Sequence, residues 1–394
     1  NKDFHPNNTD YINFKQYKAQ GGYVLFNKVK SNEVTFEQLS NIISQSNLRG
    51  LGGAGFPAAK KWEFVRANNG PRMMCINGDE GEVGTFKDKY YLDLDPHRFL
   101  EGALIAAHMV SADKCFIYMR DEYPGIIKIL RNEVTKLVND GLINEGLVEI
   151  RRGAGAYICG EESALIESVE GKRGIPRHRP PYVAQNGVFG FPTLVHNVET
   201  VYWIREIYEK GAEWFLSFGR NGRKGLRSFS VSGFVNKPGV KLAPAGITVK
   251  ELIDEYCGGM IEGHKLKAYL PGGASGGILP EKLSNIPLDF DTLQEYGCFI
   301  GSAAVIIISD KVQMKDVAIN LMKFFEDESC GQCTPCRNGT TMAVKLMKEN
   351  NWDLKLLKEV GNVMTDASIC GLGQAAANPL ISIIKHFPDD IKHI

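Results

Sequence analysis

Met73-Met-Cys-Ile-Asn-Gly-Asp-Glu-Gly-Glu82 passes in one step from an apolar run to an acidic turn broken by glycine. A short apolar run bounded by turn residues suits a strand buried on both faces, as in a parallel sheet. Asp79, Glu80 and Glu82 then stand at the strand's carboxyl end, the edge at which open α/β sheets bind ligands. Three carboxylates in four residues are not buried without partners. They suit the hydroxyls of a sugar or ribitol chain and the amide of a ring. Calcium is a competing ligand, but the segment lacks EF-hand spacing; a solvated acidic loop is the plain alternative.

Outward from this stretch, strands and helices alternate. Met73–Ile76, Lys114–Arg120 and Leu147–Arg151 read as strands. His97–Val110, Pro124–Asn139, Glu161–Glu170 and Val198–Lys210 read as helices. That rhythm predicts an α/β layer with a largely parallel sheet. Upstream, Thr35-Phe-Glu-Gln38 has capping-box form and opens a helix ending near Asn47, while residues 1–35 read as a strand or extended arm. Arg173 to Pro192, rich in Pro, Gly and Arg, reads as a long functional loop. Composition changes at Arg220-Asn-Gly-Arg-Lys-Gly225, a domain link. Beyond it Ser228–Gly233, Leu266–Leu270 and Ala303–Ser309 read as strands around a helix capped by Thr248, the pattern of a small ubiquitin-like β-grasp unit. From about Val312 apolar residues recur at three and four, which predicts a helical bundle over roughly 314–327, 337–349, 353–364 and 372–385. The partition is 1–220, 221–311 and 312–394.

A formal net charge of zero gives no reason to expect nucleic acid or an anionic membrane as partner. The longest apolar stretch, Ala303-Ala-Val-Ile-Ile-Ile308, is too short to span a bilayer, so no direct membrane insertion is expected. No signal-peptide pattern is visible, and the first residue is Asn1 and not Met, which leaves room for an N-terminal piece removed or left out. Of nine cysteines, Cys75, Cys115, Cys159, Cys257 and Cys298 fall in apolar or strand-like runs and read as core residues. An odd total with three crowded together is a poor disulfide framework and a good metal-site signature, which places the chain in a reducing compartment, the cytoplasm.

Glu328-Ser-Cys-Gly-Gln-Cys-Thr-Pro-Cys-Arg-Asn-Gly339 carries C-x₂-C-x₂-C, with Cys370 remote. Three thiolates on one loop and a fourth from elsewhere suit a cubane whose four irons each take one ligand. Structural zinc more often shows two separated C-x₂-C pairs, and a reactive dithiol explains two cysteines but not four. A [4Fe-4S] cluster at Cys330, Cys333, Cys336 and Cys370 implies electron transfer and not hydrolysis. Two glycine segments add to it. In Arg49-Gly-Leu-Gly-Gly-Ala-Gly-Phe-Pro57, Gly50, Gly52 and Gly55 satisfy G-x-G-x-x-G, but after a helix rather than a strand. Its backbone N–H groups suit an anion, Lys60 and Lys61 follow, and Phe56, Trp62 and Phe64 offer flat surfaces for a ring. The alternative is a structural turn over packed aromatics. In Arg151-Arg-Gly-Ala-Gly-Ala-Tyr-Ile-Cys-Gly-Glu-Glu162, Gly160, Glu161 and Glu162 precede a helix, where carboxylates also serve as caps.

Taken in order, Arg49–Trp62, Asn77–Lys89, Ile117–Tyr123, Gly153–Pro181, Pro192–Thr200, Gly233–Pro280 and Ser329–Gly339 with Cys370 resemble the NADH-binding flavoprotein subunit (51 kDa-type) of respiratory complex I and its soluble relatives. The soluble relatives are the diaphorase subunits of NAD-linked hydrogenases and formate dehydrogenases. The resemblance implies a Rossmann-like FMN/NADH domain, a β-grasp domain and a C-terminal helical bundle binding [4Fe-4S]. It implies FMN held by Gly50, Gly52, Gly53, Gly55, Lys61, Asn77, Asp79, Glu80, Gly160, Glu161 and Asn197. It implies NADH/NAD⁺ with its adenine among Phe56, Phe64 and Tyr182, and with Glu82 and Glu162 at its ribose and nicotinamide end, where hydride is exchanged. Implied partners are a small [2Fe-2S] thioredoxin-like subunit and a larger iron–sulfur or catalytic subunit, at the cytoplasmic face of the membrane if the assembly is complex I. The chain departs from the respiratory pattern at Leu51 (usually Arg), Gly81 (often Ser), Val83 (usually Pro), Arg179 (usually Lys) and His196 (the first of two Asn). The Leu51 change puts in doubt one charge contact to the cofactor that the resemblance would imply. Lys114–Pro124, Gly174–Pro181 and Leu194–Thr200 look closer to the β-subunit of soluble NAD-dependent formate dehydrogenase, whose members often carry a further N-terminal thioredoxin-like part. The terminal substrate, the direction of flow and the oligomeric state are not legible in the chain.

Overall fold

The computed structural model describes residues 10–392. The chain divides into two compact units: Asn1–Gly81 with Phe86–Ser217, and Glu82–Thr85 with Phe218–Ile394.

The first unit opens with helices where the sequence suggests an extended arm. These are α1 (Phe14–Ala19) and α2 (Val24–Lys30); residues 1–9 of the expected arm lie outside the described residues. Asn13 and Gln16 form a reciprocal capping box at α1, the local signal that overrides the weak periodicity. Polar contacts, buried or part-buried, hold this segment. Tyr23 meets His97 Nδ1 at 2.7 Å, Tyr17 donates to Glu101 at 2.7 Å, and Tyr11 donates to Glu133 at 2.6 Å. Next comes α3 (Phe36–Gln45), opened by the expected box of Thr35 with Gln38. The glycine loop then leads into α4 (Ala58–Arg66).

β1 (Arg72–Gly78) follows, then α5 (Lys87–Leu94), α6 (Pro96–Met109), β2 (Ala112–Met119), α7 (Pro124–Asn139), β3 (Val148–Arg152) and α8 (Glu162–Val169). β4 (Thr193–Asn197) ends the sheet and runs directly into α9 (Val198–Tyr202). The expected single helix over Val198–Lys210 is two, because Trp203 separates α9 from α10 (Ile204–Lys210). All four strands are parallel, in the order β3-β2-β1-β4. Met74, Cys75 and Ile76 of β1 and Cys115 to Met119 of β2 are buried, as a sheet covered on both faces requires. Each fully buried aliphatic side chain of this kind contributes about 1.5–3 kcal/mol. The chain leaves β1 for β2 and β3 on one side and returns to β4 on the other. The strand order therefore reverses between β1 and β4, which is the topological switch point.

The second unit contains a five-stranded mixed sheet. Its strands are β5 (Leu226–Gly233), β6 (Gly239–Pro244), β7 (Leu266–Leu270), β8 (Leu279–Pro280) and β9 (Ala304–Ser309), in the order β6-β5-β9-β7-β8. β5 pairs antiparallel with β6 and parallel with β9, and β7 pairs antiparallel with β9 and β8. Between β6 and β7 lies a short helical stretch, Val249–Glu251 followed by Leu252–Tyr256, opened by a Thr248–Glu251 capping box. The chain ends in helices: Met314–Glu328, Thr334–Met347, Leu354–Ala367, Gly371–Ala375, Asn378–His386 and Pro388–Lys392. The helix expected over 372–385 is split between two of these at Ala376 and Ala377. No helix among the described residues is long and apolar enough to cross a membrane.

Candidate cofactor site and cysteine cluster

Asn77 of β1 and Asn197 of β4 are paired in register at the carboxyl ends of the two strands that flank the switch point. Their side chains organise the surroundings. Asn77 Nδ2 donates to Gly160 O at 2.8 Å, and its Oδ1 accepts from Asp79 N at 3.1 Å. Asn197 Oδ1 accepts from Glu199 N at 3.0 Å and so caps α9; its Nδ2 donates to Asp88 Oδ2 at 2.5 Å. The first glycine loop lies against Asn197: a Cβ added at Gly52 would stand 2.9 Å from Asn197 Cβ. Gly50 N donates to Phe56 O at 2.8 Å, Gly55 N donates to Gly50 O at 3.2 Å and Arg49 Nε bonds Gly55 O, so the loop is pinned at its neck. Gly53 and Gly55 hold positive φ of 135° and 65°. α4 starts just beyond, without a side-chain cap on its first N–H groups, an arrangement that favours anions.

Asp79 is buried, and Gly81 and Gly160 flank its carboxylate. A Cβ at either would come 3.2 Å and 3.3 Å from Asp79 Oδ2. Without side chains at Gly81 and Gly160, their backbones approach the Asp79 carboxylate closely. Glu80 turns elsewhere. With φ 41°, it accepts from Asp88 N at 2.6 Å, from Lys89 N at 3.0 Å and from the Tyr123 hydroxyl at 3.1 Å, which caps α5. Burial, together with the Asp88 charge, pushes the Glu80 carboxyl up to about 7. Glu161 caps α8 through Ser163 N and Ala164 N, both at 3.0 Å, and pairs with Arg179. Glu162 lies 3.4 Å from Arg179 and 3.9 Å from Lys61. Burial lowers the Lys61 pKa, against the pull of Glu162. Glu82 belongs to the second unit, where its carboxylate accepts from Ser275 N at 3.0 Å and Ser275 Oγ at 2.8 Å.

Phe56, Phe64 and Tyr182 are among the large aromatics of the first unit that stay in water, at 39%, 53% and 55% exposed. The Phe56 and Phe64 rings lie 5.9 Å apart. Asn68 Nδ2 donates to Phe64 O at 2.8 Å and to Ala184 O at 3.0 Å, which ties the end of α4 to the loop carrying Tyr182.

Sequence reasoning missed the buried charges behind the site. Lys87 is 1% exposed, with its Nζ 2.8 Å from Asp88, 3.0 Å from Glu199 and 3.4 Å from Asn197 Oδ1. Burial alone would lower the Lys87 pKa, but the surrounding carboxylates raise it instead. His196 is also buried; Trp62 Nε1 donates to its Nε2 at 2.8 Å, and burial with the Lys61 charge drops its pKa to about 3. The imidazole is therefore neutral, with its proton on Nδ1. Lys87 and Asp88 adjoin the acidic segment in sequence, but only the sheet brings Glu199 to them.

In the second unit, Cys330 and Cys333 lie in the turn between two helices, Cys333 is the N-cap of the helix Thr334–Met347, and Cys336 lies in the first turn of that helix. Gly331 makes that turn with φ 77°. Cys370 arrives from the next connection and precedes Gly371–Ala375. A Cβ at Gly373 would come within 2.9 Å of Cys336 Cβ, so this connection packs directly on the cysteine turn. Cys330 and Cys333 are half-buried, and Cys336 and Cys370 are buried. Among the described residues no three His, Cys, Asp or Glu side chains converge closely enough to share one metal ion. A cubane does not need them to, since it takes one thiolate at each of four irons.

Comparison with known proteins matches these two regions separately. Residues 43–206 match the Nuo51 FMN-binding domain, and residues 316–394 match the NADH-ubiquinone oxidoreductase-F iron-sulfur binding region. The chain is 39% identical over 386 residues to an NADH-quinone oxidoreductase subunit of Rhizobium meliloti (strain 1021), covering 94% of this chain and 91% of that one. It is 42% identical over 366 residues to the mitochondrial NADH dehydrogenase [ubiquinone] flavoprotein 1 of Dictyostelium discoideum, covering 88% of this chain and 76% of that one. A crystal structure of an NAD⁺-reducing [NiFe]-hydrogenase in the H₂-reduced state superposes with a TM-score of 0.84 at 35% identity over 91% of this chain. This chain spans 62% of the length of that hydrogenase chain. The fold and site define a flavin- and iron–sulfur-binding electron-transfer subunit, and the chain belongs to the 51 kDa-type family of NADH-linked flavoprotein subunits. It carries an FMN-binding domain in its first unit and a [4Fe-4S]-binding region in its second.

Proposed function

We propose that this chain is the diaphorase subunit of a multi-subunit NAD-linked oxidoreductase, exchanging a hydride with NADH or NAD⁺. The observation that carries the reading is the pairing of Asn77 with Asn197 at the switch point, with the glycine loop against Asn197 and the Gly160 turn against Asn77. FMN, when bound, accepts or returns a hydride and exchanges electrons singly; the protein binds and orients.

The residues divide the work by chemistry. Backbone N–H groups of Gly52 and Gly53, in the loop whose neck Gly50 and Gly55 pin, the start of α4 and Lys61 would hold the phosphate. Asn77, Asp79, Gly160 and Asn197 would hold the polar edges of the ribitol chain and ring. Glu80 and Glu161, already occupied as helix caps, hold the frame around these groups. Phe56, Phe64 and Tyr182 would take the adenine of NADH, burying apolar surface they now expose. Glu162 and Glu82 would meet its ribose and nicotinamide end. For Glu82 that requires sharing or leaving its bonds to Ser275. Cys330, Cys333, Cys336 and Cys370 would ligate the cluster.

Within the second unit, residues 221–311 form the β-grasp module and 312–394 the helical bundle. The β6-β5-β9-β7-β8 order, with a helical stretch after the β5–β6 hairpin, supports the first assignment. Proposed partners are a small [2Fe-2S] subunit and a larger iron–sulfur or catalytic subunit. Lys114–Pro124, Gly174–Pro181 and Leu194–Thr200 favour a formate dehydrogenase assembly, while the matched relatives fit a complex I or NAD-reducing hydrogenase assembly equally well.

Anaerobic titration of the flavin-loaded chain with NADH tests the reading. Stoichiometric bleaching of the flavin band is expected. A flavin that dithionite reduces but NADH does not would overturn it.

A further inference from the structure

Ser368 sits at the C-terminal end of the helix Leu354–Ala367, two residues before Cys370, and is buried. Its Oγ has no hydrogen-bond partner among the described residues. A buried hydroxyl in that state is destabilising, and native structures rarely leave one without a reason. Its surroundings supply the reason. The same Cβ at Gly373 that would meet Cys336 Cβ at 2.9 Å would meet Ser368 Oγ at 2.4 Å. Ser368, Gly373 and Cys336 thus crowd one spot, and Gly373 is the residue that lets the hydroxyl and the cysteine come together. A second hydroxyl is already there: Ser329 Oγ lies 3.4 Å from Cys336 Sγ.

We propose that Ser368 donates its O–H to the sulfur shell of the cluster beside Cys336, as a second hydroxyl donor alongside Ser329, and thereby sets the cluster's reduction potential. The inference rests on the ligand set given above. Reduction adds one electron and no proton to the site, so the negative charge on sulfur grows. A fixed donor therefore stabilises the reduced form more than the oxidised one and raises the potential. Ser368 acts as a positioning and tuning residue, not as a ligand.

The test is a potentiometric titration of the full chain, anaerobically reconstituted with FMN, iron and sulfide, followed by the electron paramagnetic resonance of the reduced cluster. Ser368→Ala should keep its iron and shift the midpoint to more negative values. The expected change in the one-electron equilibrium is about threefold to tenfold, tenfold being 59 mV. Ser329→Ala should move it in the same direction. Ser368→Thr, which keeps the hydroxyl, should retain the original midpoint. Full iron with an unmoved midpoint in Ser368→Ala would overturn the proposal. If Ser368→Ala fails to hold iron, Ser368→Thr decides: a cluster with the original midpoint supports a need for the hydroxyl, and equal loss of iron in both variants overturns it in favour of shape. Failure of the ligand set itself would show differently, as an intact cluster in Cys333→Ala.

Discussion

Replacing Lys87 with Met should unsettle the first unit more than any surface change of the same size. The lysine is 1% exposed and faces Asp88 at 2.8 Å, Glu199 at 3.0 Å and Asn197 Oδ1 at 3.4 Å. Without it, two buried carboxylates face one another with no cation between them. Breaking a buried pair in this way costs about 3–5 kcal/mol. For a unit of this size, each kcal/mol moves the midpoint about 2–4 °C, so the transition should fall by about 6–20 °C. Asn197 would also lose one contact that fixes its amide plane, and FMN retention should weaken by about tenfold, or about 1.4 kcal/mol. Calorimetry and flavin-release titration would read both effects. Adding Glu199→Gln should recover part of the loss, because it removes one of the stranded charges. A Lys87→Met transition within about 1 kcal/mol of the parent would refute the reasoning, since surface substitutions commonly fall in that range.

Other perturbations reach other parts of the account. Burial alone would raise the Glu133 pKa, but hydrogen bonds from His97, Lys136 and Tyr11 bring it down to about 2. A depressed carboxylate stabilises the fold above its ordinary value of 4.5 and loses that contribution as pH falls towards about 2. Protection of the α1 and α2 amides, taken against their intrinsic exchange rate at each pH, should therefore fall across that window, and Glu133→Gln should flatten the dependence. Trp62→Phe strands the buried Nε2 of His196 and should cost about 1–3 kcal/mol, seen as an earlier denaturant midpoint. Gly52→Ala puts a Cβ 2.9 Å from Asn197 Cβ and should lower flavin content while leaving iron content unchanged. Glu82→Ala should weaken NADH binding more than FMN retention; equal loss of both would remove its assigned place at the nucleotide.

What the residues disclosed follows from how local each signal is. The strand β1, read as Met73–Ile76 and found as Arg72–Gly78, was legible because an apolar run meets an acidic turn within ten residues. α3 was legible from its capping box, and the four cysteines from their spacing. β4 was not, because Thr193–Asn197 is only five residues long and follows a Pro- and Gly-rich loop. α1 and α2 were hidden by their length: six and seven residues give too few turns for a period to show. Lys87, Asp88 and Glu199 look like solvated charges in one dimension, and only the parallel register of β1 with β4 makes them neighbours. Ser275 is 193 residues from Glu82, so no local pattern could announce that contact. The same holds for Ser368, whose meaning comes from the absence of a partner among the described residues rather than from its place in a motif.

Flavin and metal analysis of the anaerobically reconstituted chain bears most directly on the whole reading. FMN and iron with acid-labile sulfide should be found in the same polypeptide, with iron lost and flavin kept when Cys333 is replaced by Ala. Zinc in place of iron, in a preparation that takes up no flavin, would contradict it.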